Sequence, residues 1–186
     1  MNSRSEQFSS ILDGVGMMPL LHQPQWYAIC TRSRHEKIVS EQLRQQGIET
    51  FLPLVKRTHK WSDRVKEVDL PLFAGYSFVR IVLSSADRLR VLQTHGVAGF
   101  VGIHGSGTPI PESQIQDIRT LLASKVSFEE CTSLAVGQRV RIRGGSLDGV
   151  EGILAARNGD QSLMISIEPI QRSLCIRVQG YTVEAA

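Results

Sequence analysis

The side chains that could do chemistry are few and dispersed in this 186-residue chain. Its five histidines, His22, His35, His59, His95 and His104, sit in separate segments, and its three cysteines, Cys30, Cys131 and Cys175, include no C-x-x-C pair and have no histidine at ligand spacing. A zinc site needs several such ligands converging and a disulfide scaffold an even set, so neither is expected. The crowded glycines Gly144, Gly145, Gly149 and Gly152 lack the Lys-Ser/Thr of a phosphate-binding loop, and no G-x-S-x-G or H-E-x-x-H pattern occurs. No catalytic residue, metal or cofactor is therefore expected. What remains is surface chemistry: cations for phosphate, and rings for stacking on bases or for apolar docking.

Those cations are unevenly placed. The whole chain carries 21 Lys and Arg against 18 Asp and Glu, a net of +3. Residues 26–125 hold 14 against 9, a net of +5, whereas residues 126–186 hold 6 against 7, a net of −1. A composition of 41% hydrophobic and 21% charged residues excludes collagen-like, disordered and supercharged classes. The weakly polar stretch 14–21 contains Pro19 and is far short of the roughly 20 apolar residues of a spanning helix; it also lacks the marks of a secretory signal. A soluble, cytoplasmic monomer is expected, with no membrane partner.

The elements that must position these groups divide the chain. Residues 1–24 are Ser- and Gln-rich without a period and read as a flexible arm, 26–123 as one domain, 124–133 as a polar linker, and 134–184 as a second domain. In the first, Trp26-Tyr27-Ala28-Ile29-Cys30-Thr31 is β-favouring. Ser33-Arg34-His35-Glu36 has the form of a capping box for a helix with Ile38, Val39 and Leu43 on its apolar side and Gly47 at its end. Residues 49–81 read as β, with a charged turn at Trp61-Ser62-Asp63-Arg64 and a run from 70 to 81. Ser84 with Asp87 opens a second helix, and Pro111, with Ile115, Ile118 and Leu122, a third. The class is α+β: an antiparallel sheet with three helices. In the second domain, Arg139-Val140-Arg141-Ile142-Arg143 alternates with period two, and three further short strands follow, the pattern of a small all-β barrel.

The segment Val136-Gly137-Gln138-Arg139-Val140-Arg141-Ile142-Arg143-Gly144-Gly145, continuing Asp148-Gly149-Val150-Glu151-Gly152-Ile153-Leu154, resembles a KOW motif. Upstream, Trp26-Tyr27-Ala28, Pro71-Leu72-Phe73-Ala74-Gly75-Tyr76-Ser77-Phe78-Val79 and Gly96-Val97-Ala98-Gly99-Phe100-Val101-Gly102 resemble the N-terminal domain of the NusG family. The resemblance spans residues 26–183 in family order. It implies a transcription elongation and antitermination factor that binds bacterial RNA polymerase at the clamp helices of its largest subunit. It further implies that the KOW domain recruits a termination factor or a ribosomal small-subunit protein. Trp61-Ser62-Asp63-Arg64 and Pro109-Ile110-Pro111-Glu112-Ser113 are most similar to specialised paralogues of the RfaH, UpxY and LoaP type, which act on single long operons. The alternatives are the housekeeping factor and a ribosome-associated RNA-binding KOW protein.

The resemblance assigns polymerase binding to Phe73, Tyr76, Phe78, Ile115 and Ile118, whose competing role is core packing. It assigns contact with non-template DNA to Arg32, Arg34, His35, Lys37, Thr94 and His95. A second basic group around Trp61, made up of Lys56, Arg57, Lys60, Arg64 and Lys66, is expected to approach upstream DNA. Asp87-Arg88-Leu89-Arg90 replaces the threonine-rich start that some specialised relatives turn toward the polymerase gate loop. The KOW loop offers Leu147 and Val150 to a partner, Val150 standing where housekeeping relatives often present an aromatic. The β-branched Val140, Ile142, Ile165, Ile167, Ile176 and Val178 predict that the barrel stays β.

Overall fold

The computed structural model describes residues 23–60, 65–131, 137–157 and 160–186. The expected arm, apart from its last two residues, the turn at 61–64 and the end of the expected linker lie outside these. Strand β1 (Gln25–Thr31) is buried along nearly its whole length, so both of its faces must be covered. Tyr27 and Ile29 face helix α1 (Glu36–Gln45), joining a cluster with Val39, Leu43, Val79, Val91 and Phe100, whereas Trp26 and Ala28 belong to a second cluster with Phe78, Ile115, Ile118 and Leu121. The alternation of one strand thus separates two layers.

Around β1 the sheet runs in the order β2 (Glu49–Phe51), β5 (Tyr76–Ile81), β1, β6 (Val97–Phe100), with β7 (Pro109–Ile110) pairing the start of β1. The pairings are antiparallel, with Trp26 opposite Arg80 and Ala28 opposite Phe78. Strands β3 (Leu54–Lys60) and β4 (Val65–Pro71) form a separate hairpin. The expected strand through 70–81 is therefore interrupted: β4 ends at Pro71, and Gly75, at φ +82°, reverses the chain before β5. Helix α2 (Ser85–Gln93) starts as expected, with the Ser84 hydroxyl accepting from the Asp87 N–H. Helix α1 does not. His35, not Ser33, precedes it, and the Glu36 carboxylate is buried, accepting from the distant Gly75 N–H at 2.8 Å.

Helix α3 (Glu112–Ser124) follows β7. Its side toward the first sheet is held by polar contacts at its rim: the Trp26 indole donates to Glu112 at 2.8 Å, and the Arg119 guanidinium lies 5.2 Å above the Trp26 ring and 5.0 Å above Phe51.

Among the described residues the rest of the chain builds one six-stranded antiparallel sheet in the order β13 (Thr182–Ala185), β9 (Gln138–Arg143), β10 (Glu151–Arg157), β11 (Asp160–Ile167), β12 (Arg172–Arg177), β8 (Phe128–Cys131). Two findings depart from the expectations. Strand β8 comes from within the expected linker and pairs with β12. Cys131 and Cys175, 44 residues apart, are joined in a disulfide, whereas the odd, dispersed set of three cysteines predicts none. Strand pairing supplies the proximity that sequence spacing could not reveal.

Glycine has a steric reason at Gly152, on β10. A Cβ there would meet the Met164 carbonyl oxygen at 2.6 Å and the Leu163 side chain at 2.9 Å, so the KOW-like pattern keeps the strands close by omitting a side chain.

Candidate functional site

The five apolar residues assigned to a docking face converge, but they are not open to solvent. Phe73, Phe78, Ile115 and Ile118 are all 3% exposed or less, and Phe73 and Phe78 pack edge to face at 6.2 Å; Tyr76 is half-buried against the same cluster. The C-terminal sheet lies on α3 and joins the same cluster. One unbroken apolar cluster runs from Trp26, Phe73 and Phe78 through Ile115, Ile118 and Leu121 to Leu147, Val150, Leu163 and Ile165. The 3-10 turn Gly145–Leu147 and strand β11 rest on α3, and the turn Glu168–Ile170 rests on β7. Leu147 and Val150, expected as partner-binding residues, are 0% and 1% exposed, with Leu147 in the turn that rests on α3. The apolar loop thus meets a partner within the chain, on α3.

A cleft of about 330 Å³ runs beside this contact, lined by Gln114, Asp117, Arg139, Glu151 and Glu168 among others. Burial pushes the Asp117 carboxyl up to about 6; the Glu151 backbone N–H opposes the shift, the Glu151 charge adds to it, and Arg139 and Arg141 oppose it from further off. Glu151 is itself paired with the Arg141 guanidinium, whose Nε donates at 2.9 Å. The Gln114 Oε1 atom is buried without a hydrogen-bond partner.

The candidate nucleic-acid residues gather at the opposite layer. The Arg32 N–H donates to the Gly96 carbonyl at 2.8 Å, bringing the start of α1 against the loop after α2, and the His35 and His95 rings meet edge to face at 5.7 Å. A Cβ on Gly96 would touch His35 Cβ and Val39 Cγ2 at 3.0 Å, so a glycine is what lets the two histidines approach. Arg32, Arg34, Lys37 and His95 are exposed, and His35 is partly so. Thr94 departs from the expectation. It is 5% exposed, its hydroxyl donates to the Arg90 carbonyl at 3.0 Å and accepts from the Gln46 amide at 3.1 Å, and it therefore ties α2 to α1 instead of facing solvent.

In the second basic group, Lys56 pairs with Glu67 at 3.7 Å and Arg57 with Glu130 of β8 at 3.6 Å. Arg64 and the side chain of Lys60 lie outside the described residues. Among the described residues no three His, Cys, Asp or Glu side chains are grouped to hold a metal ion, and no helix is long and apolar enough to cross a membrane.

An antiparallel sheet with a helix clamped on one face is followed by a glycine-punctuated all-β unit docked on that helix, an α+β part and an all-β part in one chain. The family model described as "Transcription termination factor nusG" matches residues 24–119, just over half of the chain, and the chain belongs to the NusG family. It is 29% identical over 171 residues to the transcription termination/antitermination protein NusG of Lactococcus lactis, covering 86% of this chain and 91% of that one. It is 25% identical to the protein of the same name from Staphylococcus carnosus, covering 86% and 94%. Among solved structures, that describing domain interaction in Thermotoga maritima NusG overlaps 87% of this chain and 97% of its own, at 20% identity and a TM-score of 0.48. The chain is thus a termination/antitermination factor of NusG type, a family of transcription factors and not of enzymes.

Proposed function

We propose that the chain binds bacterial RNA polymerase through the face centred on Phe73, Tyr76, Phe78, Ile115 and Ile118, and suppresses pausing or termination on a limited set of long operons. The observation that supports selectivity is the packing of the C-terminal sheet on α3, the helix that carries Ile115 and Ile118. A factor whose docking surface is already occupied engages polymerase only to the extent that the bound state outcompetes the internal contact, so a recruiting signal can decide where it acts. The exposed Arg32, Arg34, Lys37 and His95, beside the His35 ring, suit a strand of non-template DNA, with cations on phosphate and a ring available to an unpaired base. Leu147 and Val150 become available to a further partner, such as a termination factor or a ribosomal protein, only when the sheet leaves α3.

The names of the relatives favour a second reading, the housekeeping factor. Polymerase occupancy across the genome of a deletion strain separates the two: loss confined to a few long operons supports the selective role, and a general loss supports the other. The central claim is tested by co-purification of the full chain with core polymerase. Tyr76→Ala should weaken it, and absence of binding even by a variant with an opened interface would sink it.

A further inference from the structure

Cys131 ends β8 and Cys175 lies in β12. The register sets Cys131 opposite Ser173 and Glu129 opposite Cys175, which makes the two cysteines diagonal neighbours on one face, with Cα atoms 6.4 Å apart and a disulfide between them. That separation is within the ordinary span of the bond. Strand β8 is the last strand of its sheet and has four residues, two of them the exposed Glu129 and Glu130. So short an edge strand is weakly held by its hydrogen bonds alone and opens readily.

Its attachment decides how far the C-terminal sheet can move from α3. With β8 in place, three residues, 125–127, join the last residue of α3 to the sheet. With β8 detached, the connection extends from 125 to 137, thirteen residues, before β9 begins. We propose that the Cys131–Cys175 pair is a reversible redox modification site that sets this tether length, with a small or protein-borne dithiol as its reductant. In a reducing compartment a disulfide of this kind is a transient, signalling one.

Cys175 lines an open cleft of about 580 Å³ together with Phe128, Glu129, Ser162 and Arg177, where a reductant thiolate meets a cation. The thiolate attacks Cys175 Sγ, the bond to Cys131 Sγ breaks, and Cys131 leaves as a thiolate that takes up a proton. The second thiol of the reductant, as thiolate, then attacks its own sulfur in the mixed disulfide and releases Cys175, which is protonated in turn. Two electrons and two protons pass from the dithiol, which becomes a disulfide, to the two cysteines. Local concentration falls roughly as the −3/2 power of tether length, so lengthening from three to thirteen residues lowers that of the sheet at α3 about tenfold. The oxidised chain holds the docking face covered, and the reduced chain releases it. The consequence for polymerase rests on the function proposed above; the change in docking does not.

The test uses the full chain, oxidised with glutathione disulfide or reduced with dithiothreitol, alongside Cys175→Ser and a Cys30→Ser control. Alkylation and mass spectrometry should find Cys131 and Cys175 blocked only in the oxidised form. Hydrogen exchange of the α3 amides should accelerate about tenfold on reduction and in Cys175→Ser, with Cys30→Ser behaving as the parent. If Cys175→Ser does not fold, the reduced parent carries the same comparison. Free thiols at both positions after oxidation, or equal α3 exchange in the two states, overturns the proposal. Core polymerase should bind the reduced chain about tenfold more tightly; no binding by either form counts against the polymerase reading alone, since the exchange difference still decides the tether.

Discussion

Asp117 on α3 lies against Glu151 of β10, a carboxyl facing a carboxylate across the contact between the helix and the C-terminal sheet. Burial there, reinforced by the Glu151 charge, raises Asp117 from an ordinary 3.8 to about 6. Because the folded value is the higher one, this group's contribution to the docked state is fully present below about 3.8 and is lost as pH rises through about 6. Acidification from pH 7.5 to 5 should therefore tighten docking. Asp117→Asn should raise the melting temperature at pH 7.5 by a few degrees, on the order of 1 kcal/mol once solvent screening is discounted, with the gain vanishing near pH 4. A melting series across pH for parent and variant measures this.

Arg119 stacks over Trp26 and Phe51 and stands 3.9 Å from Glu112 and 4.0 Å from Glu49. Its stem covers apolar surface while its head serves two carboxylates, so truncation removes packing as well as charge. Arg119→Ala should cost about 1–2 kcal/mol in urea unfolding, more than the loss of an exposed ion pair alone. Arg119→Lys should recover only part of this, having no planar face to stack.

Leu147 is fully buried at the tip of the loop that meets α3. Leu147→Ala should destabilise the chain by about 2–4 kcal/mol through the cavity it leaves. Core polymerase should nevertheless bind the variant more tightly than the parent, because the same change loosens the internal competitor. Stability and affinity moving in opposite directions distinguishes a competing contact from a simple core position.

At the other layer, Arg32→Ala, Arg34→Ala and Lys37→Ala combined should weaken binding to single-stranded DNA and flatten its salt dependence, read by titration at several salt concentrations. His95→Ala should cost about 1–3 kcal/mol of stacking with little change in the salt slope. Thr94→Val should leave DNA binding unchanged and lower stability by about 1 kcal/mol, because its hydroxyl bridges α1 and α2.

Much of this architecture is legible in the chain where the physics is local. The period-two run through Arg139–Arg143, the Ser84 cap and the helical spacing of Ile115 and Ile118 all appear in the elements they predict. Legibility ends where a distant partner intervenes. Ser33 and Glu36 have the spacing of a capping box, but the Gly75 N–H takes the Glu36 carboxylate. The run through 70–81 is apolar enough to read as one strand, yet Leu72 and Phe73 are buried from a turn, not from a strand. Leu147 has the composition of a partner surface, and nothing local shows that α3 meets its turn. Cys131 and Cys175 meet only because β8 pairs with β12.

Strand β8 has one more effect, on colloidal behaviour. The strand it covers, β12, buries four successive residues from Ser173 to Ile176, and without β8 its hydrogen-bonding edge would be open along that length. Such an edge is a template for a strand of another molecule. The acidic pair Glu129 and Glu130 makes the substituted edge self-repelling, and Glu130 is further engaged by Arg57. A chain that detaches β8 therefore exposes a surface on which copies can polymerise, so the undocked state is best confined to the time it spends with a partner.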